Sequence, residues 1–253
     1  MSLYNEFATI YAKGNYPTLS QAVAEIIPKV LDEFKIKKNG QLLDIACGEG
    51  SFALSMQLQG WQVTGIDQSE EMLRLARHRA HQSQSSTHFI QQDMRFLDFD
   101  AKFDIATCWF DSLNYMLTND DLQSTCNNIA RALVPGGWFL FDMNTTYGLA
   151  VQWQQTKCYV QQETPDLLEL HRTNYDFEKR TACMKITWFV REGNFWEKFE
   201  EKHTERAFSI DEIEKCLHYA GLKVIGKFGS LTDLTPLTAT SSRVWFVTQK
   251  PAI

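Results

Sequence analysis

Residues 42–50 constrain the fold of this chain more than any other segment. They read LLDIACGEG, an apolar run that ends in an aspartate and passes directly into a loop with two glycines. Seventeen residues after Gly50, a second run (VTGID) ends on another acid, Asp67. A buried strand, a glycine loop, a helix and a second strand with a terminal acid form the pocket in which α/β sheets bind adenosine-containing cofactors. The segment therefore predicts such a pocket.

Helical and strand-like segments alternate on both sides of this loop. Apolar residues at helical spacing predict helices over residues 20–34, 51–59, 70–81 and 120–133. Short β-rich runs predict further strands over residues 88–93, 103–109 and 138–142. Ser69 is expected to cap the helix that follows the second strand, and Pro135-Gly136-Gly137 to end the one before the fifth strand. The alternation predicts an α/β fold with a mostly parallel, doubly wound sheet.

The pattern changes after the fifth strand. From about residue 156 to 208 the helical period disappears, and turn signals separate β-rich runs such as KITWFV at 185–190. A helix over 210–220 and strands over 222–228 and 243–249 then return to the main fold. We therefore expect residues 1–150 and 209–253 to form one α/β domain, with residues 1–38 as an N-terminal cap. Residues 151–208 are expected to form an inserted antiparallel β lid.

Composition excludes several classes of protein. The 253 residues carry a net charge of −6 without a basic run, which argues against a general nucleic-acid binder. The six cysteines are scattered and contain no C-x-x-C pair, so we expect reduced thiols in a cytoplasmic protein and no metal site. No signal peptide is recognisable, and no apolar run approaches the roughly 18 to 20 residues that span a bilayer.

Two classes of adenosine cofactor compete for the loop. A dinucleotide would lay its diphosphate over Gly48 and Gly50, close to the acids Asp44 and Glu49. At roughly 6 Å and an effective dielectric near 20, one such pair of like charges costs about 3 kcal/mol. S-adenosylmethionine instead presents a sulfonium and an ammonium, which acids attract. The charges favour the methyl donor, and a nicotinamide-dependent oxidoreductase stays as the alternative.

Four motifs in order carry a resemblance to a known family. They are DIACGEG at 44–50, GID at 65–67, QDMR at 92–95 and LVPGG at 133–137. Together they resemble the class I S-adenosylmethionine-dependent methyltransferases, in particular small-molecule members with a β insertion after strand five. The resemblance covers about residues 40–145. It implies a Rossmann-like seven-stranded sheet with helices on both faces, plus an inserted antiparallel β-sheet.

The resemblance also implies roles for individual residues in donor binding. Asp44 would orient the methionine part through its ammonium, Asp67 would accept hydrogen bonds from the ribose hydroxyls, and Asp93 would accept one from the adenine amino group. Gly48 and Gly50 would let the backbone approach the methionine part closely. The expected donor-binding residues are Asp44, Ala46, Cys47, Gly48, Gly50, Asp67, Gln68, Met72, Asp93, Met94 and Phe110.

The methyl acceptor is expected at the carboxyl ends of the strands. The candidate acceptor-binding residues are Tyr11, Asp111, Asn114, Tyr115, Asn144, Tyr147, His203 and Arg206. His203, near the end of the insertion, is the best candidate for a general base, although methyl transfer needs a base chiefly when the acceptor arrives protonated. The family's nucleic-acid amino methylators carry an Asn/Asp-Pro-Pro-aromatic motif after strand four. This chain has FDSL at 110–113, which argues against base methylation.

The sequence thus predicts a methyltransferase that acts on a small molecule by in-line transfer. It leaves open whether N, O, S or C receives the methyl group. No nucleic-acid or membrane partner is expected, and the aromatic residues of the insertion are compatible with a homodimer. A competing hypothesis from another class is a non-catalytic protein that binds S-adenosylmethionine and acts through a partner.

Overall fold

The computed structural model describes residues 16–252, which form two β-sheets and five α-helices. The first half contains α1 (Tyr16–Glu33), β1 (Gly40–Ile45), α2 (Ser51–Leu58), β2 (Trp61–Asp67), α3 (Glu70–Gln82), β3 (His88–Gln91), β4 (Phe103–Cys108), α4 (Asn119–Ala132) and β5 (Leu133–Asn144). The second half contains β6 (Cys158–Thr164), β7 (Leu167–Asp176), β8 (Thr181–Glu192), β9 (Phe195–Arg206), α5 (Ile210–Tyr219), β10 (Lys223–Phe228) and β11 (Arg243–Gln249). Tyr11 and much of the expected N-terminal cap lie outside the described residues.

The larger sheet has seven strands in the order β10-β11-β5-β4-β1-β2-β3. The pairs from β5 to β3 are parallel, whereas β11 runs antiparallel to both of its neighbours. Because parallel strands end at the same edge, the loops that follow β1, β2, β4 and β5 meet there. The predicted α/β architecture is confirmed, including the strand that closes the chain.

Helices cover both faces of this sheet. Successive side chains of β1 point alternately to the two faces and pack against different helices. Leu43 and Ile45 are fully buried on the face that α4 and α5 cover, while Leu42 is fully buried on the face of α1 and α2. A parallel strand with helices on both sides must be apolar at consecutive positions, as residues 42 and 43 are. No helix in residues 16–252 is both long and apolar enough to cross a membrane.

Two of the differences between predicted and observed boundaries have a clear structural cause. β5 begins at Leu133, directly after α4, because Leu133 pairs with Phe103 and Trp138 pairs with Ile105. Pro135-Gly136-Gly137 is therefore an irregularity within the strand and not a break before it. β3 ends at Gln91 and not at residue 93, because Asp93 caps a 3-10 turn that leads away from the sheet.

The second sheet consists of four antiparallel strands in the order β6-β7-β8-β9 and follows β5, where the insertion was expected. One of its faces packs on α3 through Leu167, Ile186 and Trp188, which enclose Met72. Trp188 is 1% exposed and is the largest fully buried side chain among the described residues. Apolar packing on α3 therefore fixes the inserted sheet against the larger one.

Glu212 in α5 joins the inserted sheet to the main fold by charge. Its carboxylate lies 2.7 Å from the guanidinium of Arg180, in the β7–β8 turn, and 3.4 Å from that of Arg206, at the end of β9. It also accepts a hydrogen bond from the backbone N–H of Ser209, which completes a capping box. Burial by itself would raise the pKa of Glu212, but the hydrogen bonds from Arg180 and Ser209 outweigh it and lower the pKa to about 2.

Replacing Glu212 by Gln should destabilise the protein at neutral pH. The folded pKa lies below the ordinary value of 4.5, so the stabilisation is present above about pH 4.5 and is lost as the pH falls towards 2. Urea unfolding should give a free energy of unfolding about 2–3 kcal/mol lower for Glu212→Gln at pH 7, with a much smaller difference near pH 3.

Glu214→Gln on the same helix is the matched control. Glu214 pairs with Lys227 at the surface, so its loss should cost less than about 1 kcal/mol. An equal difference between wild type and Glu212→Gln at both pH values would contradict the assignment.

Candidate active site

The loop after β1 is held open by its backbone conformation. Ala46, Gly48 and Gly50 all have positive φ, at 55°, 54° and 86°. A Cβ at Gly48 would meet no atom within 4 Å, so a ligand can approach the backbone there. A Cβ at Gly50 would lie 2.8 Å from the ring of Phe89. Glycine is therefore needed at position 50 because a side chain there would clash with Phe89. We predicted that a ligand could approach the backbone at both glycines, and the structure leaves that space at Gly48.

Asp67 ties this loop to the end of β2. Its Oδ2 accepts a hydrogen bond from the N–H of Gly48 at 2.9 Å, and its Oδ1 accepts one from the N–H of Ser69 at 2.8 Å. Burial raises the pKa of Asp67 in spite of these bonds. Ser69 in turn caps α3 as predicted, accepting a hydrogen bond from the N–H of Met72. The carboxylate of Asp67 thus orders the loop, the end of the strand and the start of the helix together.

Asp44 lies beneath the loop with only 2% of its surface exposed. The hydroxyl of Thr107 in β4 donates to its Oδ1 at 3.1 Å, and its Oδ2 has no hydrogen-bond partner within residues 16–252. Burial first, and then the charges of Asp67 and Glu49, raise the pKa of Asp44 to about 8 although the Thr107 bond opposes this. A buried carboxyl with one unsatisfied oxygen is a feature that a cationic ligand would complete.

Glu49 corrects part of our electrostatic argument. Its buried carboxylate forms an ion pair with Arg79 of α3 and accepts a hydrogen bond from the hydroxyl of Ser51 at 2.9 Å. Arg79 stands in the last turn of α3, where a basic side chain also complements the helix dipole. Because Arg79 neutralises Glu49, this residue would add little repulsion against a diphosphate. The preference for a cationic donor then depends on Asp44 and Asp67.

A cavity of about 390 Å³ opens beside the loop, at the edge where β1, β2 and β4 end. Six of the predicted residues line it: Ala46, Asp67, Gln68, Asp93, Met94 and Tyr115. Eight lining residues were not predicted: Ile66, Gln92, Arg95, Ser112, Met116, Leu117, Lys202 and Thr204. The cavity therefore combines the predicted ribose and adenine residues with the 3-10 turn after β4 and with β9 of the inserted sheet.

Arg95 holds the carboxylate of Asp93. Its Nη2 donates to Oδ2 at 2.6 Å, its Nε lies 3.1 Å from both oxygens, and its backbone N–H donates to Oδ1 at 2.9 Å. Burial opposes ionisation of Asp93, but these bonds lower its pKa, so it stays an acceptor over the whole physiological range. Arg95 was overlooked although it belongs to the QDMR motif, because sequence alone does not show where its side chain turns.

Six of the eleven predicted donor contacts do not line this cavity: Asp44, Cys47, Gly48, Gly50, Met72 and Phe110. Met72 is 3% exposed and packs against Leu167, Ile186 and Trp188 of the insertion, so it belongs to the interface between the two sheets. Phe110 packs against the apolar cluster on the α1 and α2 face of the sheet. Cys47 is half-buried, and its Sγ lies 3.0 Å from where a Cβ on Gly65 would stand.

The segment after β4 is held by an acid–base network. The backbone N–H groups of Phe110 and Asp111 donate to the carboxylate of Asp142 at 2.7 and 3.1 Å. Arg243 pairs with Asp142 and, at 2.6 Å, with Asp111. The predicted acceptor residue Asp111 is therefore already bound to an arginine. Glu205, from β9, lies beside it, and burial followed by the charge of Asp111 raises the pKa of Glu205 well above its ordinary value.

Asn114 and Asn144 also serve the framework. The amide of Asn114 accepts from the N–H of Asn144 at 2.9 Å and donates to the carbonyls of Asn144 and Arg206 at 3.1 and 2.9 Å. The side chain of Asn144 donates to Glu205 at 2.8 Å. These predicted acceptor contacts thus connect β5, the turn after β4 and the end of β9, and they use both amide protons of Asn114.

His203 lies next to the cavity through Tyr115. Its Nδ1 is 2.8 Å from the hydroxyl of Tyr115, which lines the cavity, and its Nε2 is 3.7 Å from Glu201. The ring is 4% exposed. The structure therefore brings two predicted residues, His203 and Tyr115, together beside this cavity.

Two other predicted acceptor residues lie elsewhere. The guanidinium of Arg206 stacks over Phe208 and donates to the carbonyl of Leu117 at 3.1 Å, so it is part of the framework. Tyr147 is half-buried at the start of the turn after β5, and it is absent from the cavity wall as far as residues 16–252 define it.

A second histidine, His171 in β7, was overlooked by sequence reasoning. Its Nε2 is 2.5 Å from Oε1 of Glu169, and its Nδ1 is 3.2 Å from the hydroxyl of Tyr159. Tyr159 lines another cavity, of about 580 Å³, together with Asn144 and Arg243. The signal in the sequence was the alternation in β7, where Glu169 and His171 stand on the buried phase of the strand.

Comparisons with known proteins agree with this arrangement. The family model of the methyltransferase domain matches residues 42–137, which run from β1 into β5. YqeM of Bacillus subtilis (strain 168), a protein assigned to the methyltransferases, is 32% identical over 249 residues, which make up 98% of this chain and 97% of YqeM. The similarity therefore extends over the inserted sheet as well as the main sheet.

A more distant relative and a solved structure carry more specific names. The dTDP-4-amino-2,3,4,6-tetradeoxy-D-glucose N,N-dimethyltransferase of Saccharopolyspora spinosa is 28% identical over 193 residues, or 72% of this chain and 71% of that protein. The crystal structure of a S-adenosylmethionine-dependent methyltransferase from Clostridium acetobutylicum ATCC 824 has a TM-score of 0.84 at 26% identity and covers 99% of this chain and 100% of that one. The chain belongs to the class I S-adenosylmethionine-dependent methyltransferases, and its methyl donor is S-adenosylmethionine.

Proposed function

We propose that this enzyme transfers the methyl group to a small-molecule acceptor by in-line displacement, at the cavity beside the loop of residues 46–50. The observation that carries the proposal is the set of acids around this cavity. Asp67 and Asp93 line it, and Asp44 lies buried beneath the loop with one unsatisfied oxygen. Carboxylates attract a ligand that carries a sulfonium and an ammonium, and they repel a diphosphate.

The donor is assigned to residues in order along this edge. Asp67 would hold the ribose hydroxyls and Asp93, fixed by Arg95, the adenine amino group. Gly48 leaves open space for the methionine part, and Asp44 would face its ammonium. Bound S-adenosylmethionine supplies an electrophilic methyl group with its own leaving group, so the protein needs mainly to align the acceptor and exclude water. Positioning of this kind accounts for roughly 7–11 kcal/mol of barrier in favourable cases.

The acceptor is assigned to the side of the cavity that β9 covers. Lys202 and Thr204 line the cavity there, and the Tyr115–His203 pair stands behind it. His203 is the group that would take a proton from a protonated acceptor, through the Tyr115 hydroxyl. We assign residues 151–208 as an acceptor-binding lid. The N,N-dimethyltransferase from Saccharopolyspora spinosa supports a small molecule as the acceptor.

The location and assembly are part of the same proposal. All six cysteines are free, which supports the cytoplasm as the compartment of the enzyme. Phe195 and Trp196, at the tip of the β8–β9 hairpin, are 79% and 49% exposed, and they support a homodimer through the inserted sheet.

Isothermal titration calorimetry tests the donor assignment. Wild-type protein should bind S-adenosylmethionine and S-adenosylhomocysteine and give no heat with NADH. Asp67→Ala should weaken S-adenosylmethionine binding by about 1.5–3 kcal/mol, or about ten- to a hundredfold, through the loss of hydrogen bonds to a charged group. The exposed Asp98→Asn is the control and should bind like wild type. Unchanged affinity in Asp67→Ala would remove the ribose assignment.

A screen of amines, amino acids, amino sugars and carboxylates, read as S-adenosylhomocysteine release, tests for catalysis. A protein that binds the donor but acts only through a partner would release none with any acceptor. With the best acceptor from the screen, His203→Gln should lower kcat by about a hundredfold or more and leave the Kd for S-adenosylmethionine unchanged. His88 is an exposed histidine of β3, and His88→Gln should leave both values unchanged. An unaltered kcat in His203→Gln would exclude it as the base.

A further inference from the structure

Asp44 is a buried acid surrounded by other acids. It is 2% exposed, and its Oδ2 has no hydrogen-bond partner within the described part of the chain. Buried carboxyls are normally fully hydrogen-bonded, because an unsatisfied oxygen loses its hydration without a replacement bond. An orphaned oxygen at the end of β1, next to the donor cavity, is therefore a position for a ligand group that donates hydrogen bonds.

Thr107 determines which oxygen of Asp44 has no hydrogen bond within the described residues. Thr107 stands opposite Asp44 in the β1–β4 register and is fully buried. Its hydroxyl lies 3.1 Å from Oδ1 of Asp44 and 3.5 Å from the carbonyl of Leu43, so the carboxyl is the nearer acceptor. Valine has the same shape as threonine but cannot donate. The chain therefore uses a hydroxyl inside a central strand at a position where shape alone would favour valine.

We propose that Thr107 is a positioning residue for the α-ammonium of the methyl donor: its hydroxyl fixes one oxygen of Asp44 so that the other faces the ammonium, and donor binding releases a proton from Asp44. This inference rests on the proposed placement of the donor. The step is balanced, since the protonated carboxyl and the ammonium form an ion pair and one proton passes to solvent. Thr107 acts only through Asp44.

The charges that face Asp44 explain why it holds a proton before the donor binds. Burial, followed by the charges of Asp67 and Glu49, raises the pKa of Asp44 to about 8. Arg79 compensates Glu49, so the uncompensated neighbour is Asp67. The titratable or charged groups coupled to Asp44 from the described elements are Asp67 of β2, Cys47 and Glu49 of the loop, and Cys108 of β4.

The affinity for S-adenosylmethionine should depend on pH. Below about pH 8 the free enzyme carries the proton that the ion pair must release, so affinity for S-adenosylmethionine falls by up to about tenfold for each pH unit below 8. The ammonium itself has an ordinary pKa of about 7.7–8.0, so above pH 8 its own deprotonation opposes binding. Proton release should therefore be close to one near pH 6 and decline towards zero near pH 8.

Calorimetry in two buffers of different ionisation enthalpy measures this proton directly. The probes are S-adenosylmethionine and 5′-methylthioadenosine, which keeps the adenosine and the sulfur but lacks the ammonium. Wild type near pH 6 should release about one proton with the first probe and none with the second. Asp44→Asn should bind both probes without proton release.

Thr107→Val should weaken S-adenosylmethionine binding by about tenfold at pH 7 and leave 5′-methylthioadenosine binding unchanged. Thr107→Ser keeps a hydroxyl and should restore most of the affinity. Thr248→Val is the matched control, because Thr248 is also fully buried in the sheet and its hydroxyl donates to the carbonyl of Phe139 at 2.9 Å. That variant should bind both probes like wild type.

Two results would overturn the inference. One is binding of S-adenosylmethionine to wild type without proton release near pH 6, which needs no variant. The other is a Thr107→Val protein that binds both probes equally weakly, or both like wild type. If wild type bound neither probe, the donor placement itself would be wrong, so the two failures are distinguishable.

Discussion

The rest of the site depends on the hydrogen bonds that the carboxylate of Asp67 accepts. The carboxylate accepts them from the backbone of Gly48 and of Ser69, so a single side chain joins the loop after β1 to the end of β2 and the start of α3. A loop with positive φ at Ala46, Gly48 and Gly50 would otherwise have many alternative conformations. Because Asp67 also lines the cavity, the group that orders the loop is also exposed to the cavity.

Within residues 16–252, most of the acids around the site are paired with an arginine, but two buried acids are not. Arg79 neutralises Glu49, Arg95 fixes Asp93, and Arg243 serves both Asp111 and Asp142. Asp44 and Asp67 have no such arginine in the described residues, and burial raises the pKa of both. Two buried acids beneath and beside the loop are therefore left without a paired arginine in this part of the chain. A cationic ligand would compensate them there, while the paired acids keep the framework rigid.

The sequence predicts the cavity lining near β2 and β3 well, because these residues stand at fixed distances from strand ends. Asp67, Gln68, Asp93 and Met94 follow β2 and β3 closely, and the parallel sheet brings those ends together. The same reasoning fails where the contacts of a side chain are determined by a residue distant in sequence. Met72 has the helical position of a pocket residue but meets Trp188, more than a hundred residues away. Asn114 is committed to Asn144 and Arg206, and no local pattern announces such bonds.

The two halves of the site are held by different physical means, and this has a consequence for specificity. One half is built from loops between adjacent parallel strands, where a change in one residue disturbs the backbone of several elements. The other half is reached by β9, an edge strand of the inserted sheet that carries Lys202 and Thr204 to the cavity. That sheet is anchored by apolar packing on α3 and by Glu212, both away from the cavity wall. Side chains on β9 can therefore change without loss of the anchor, so under the proposed placement the acceptor can vary while the loops assigned to the donor stay the same.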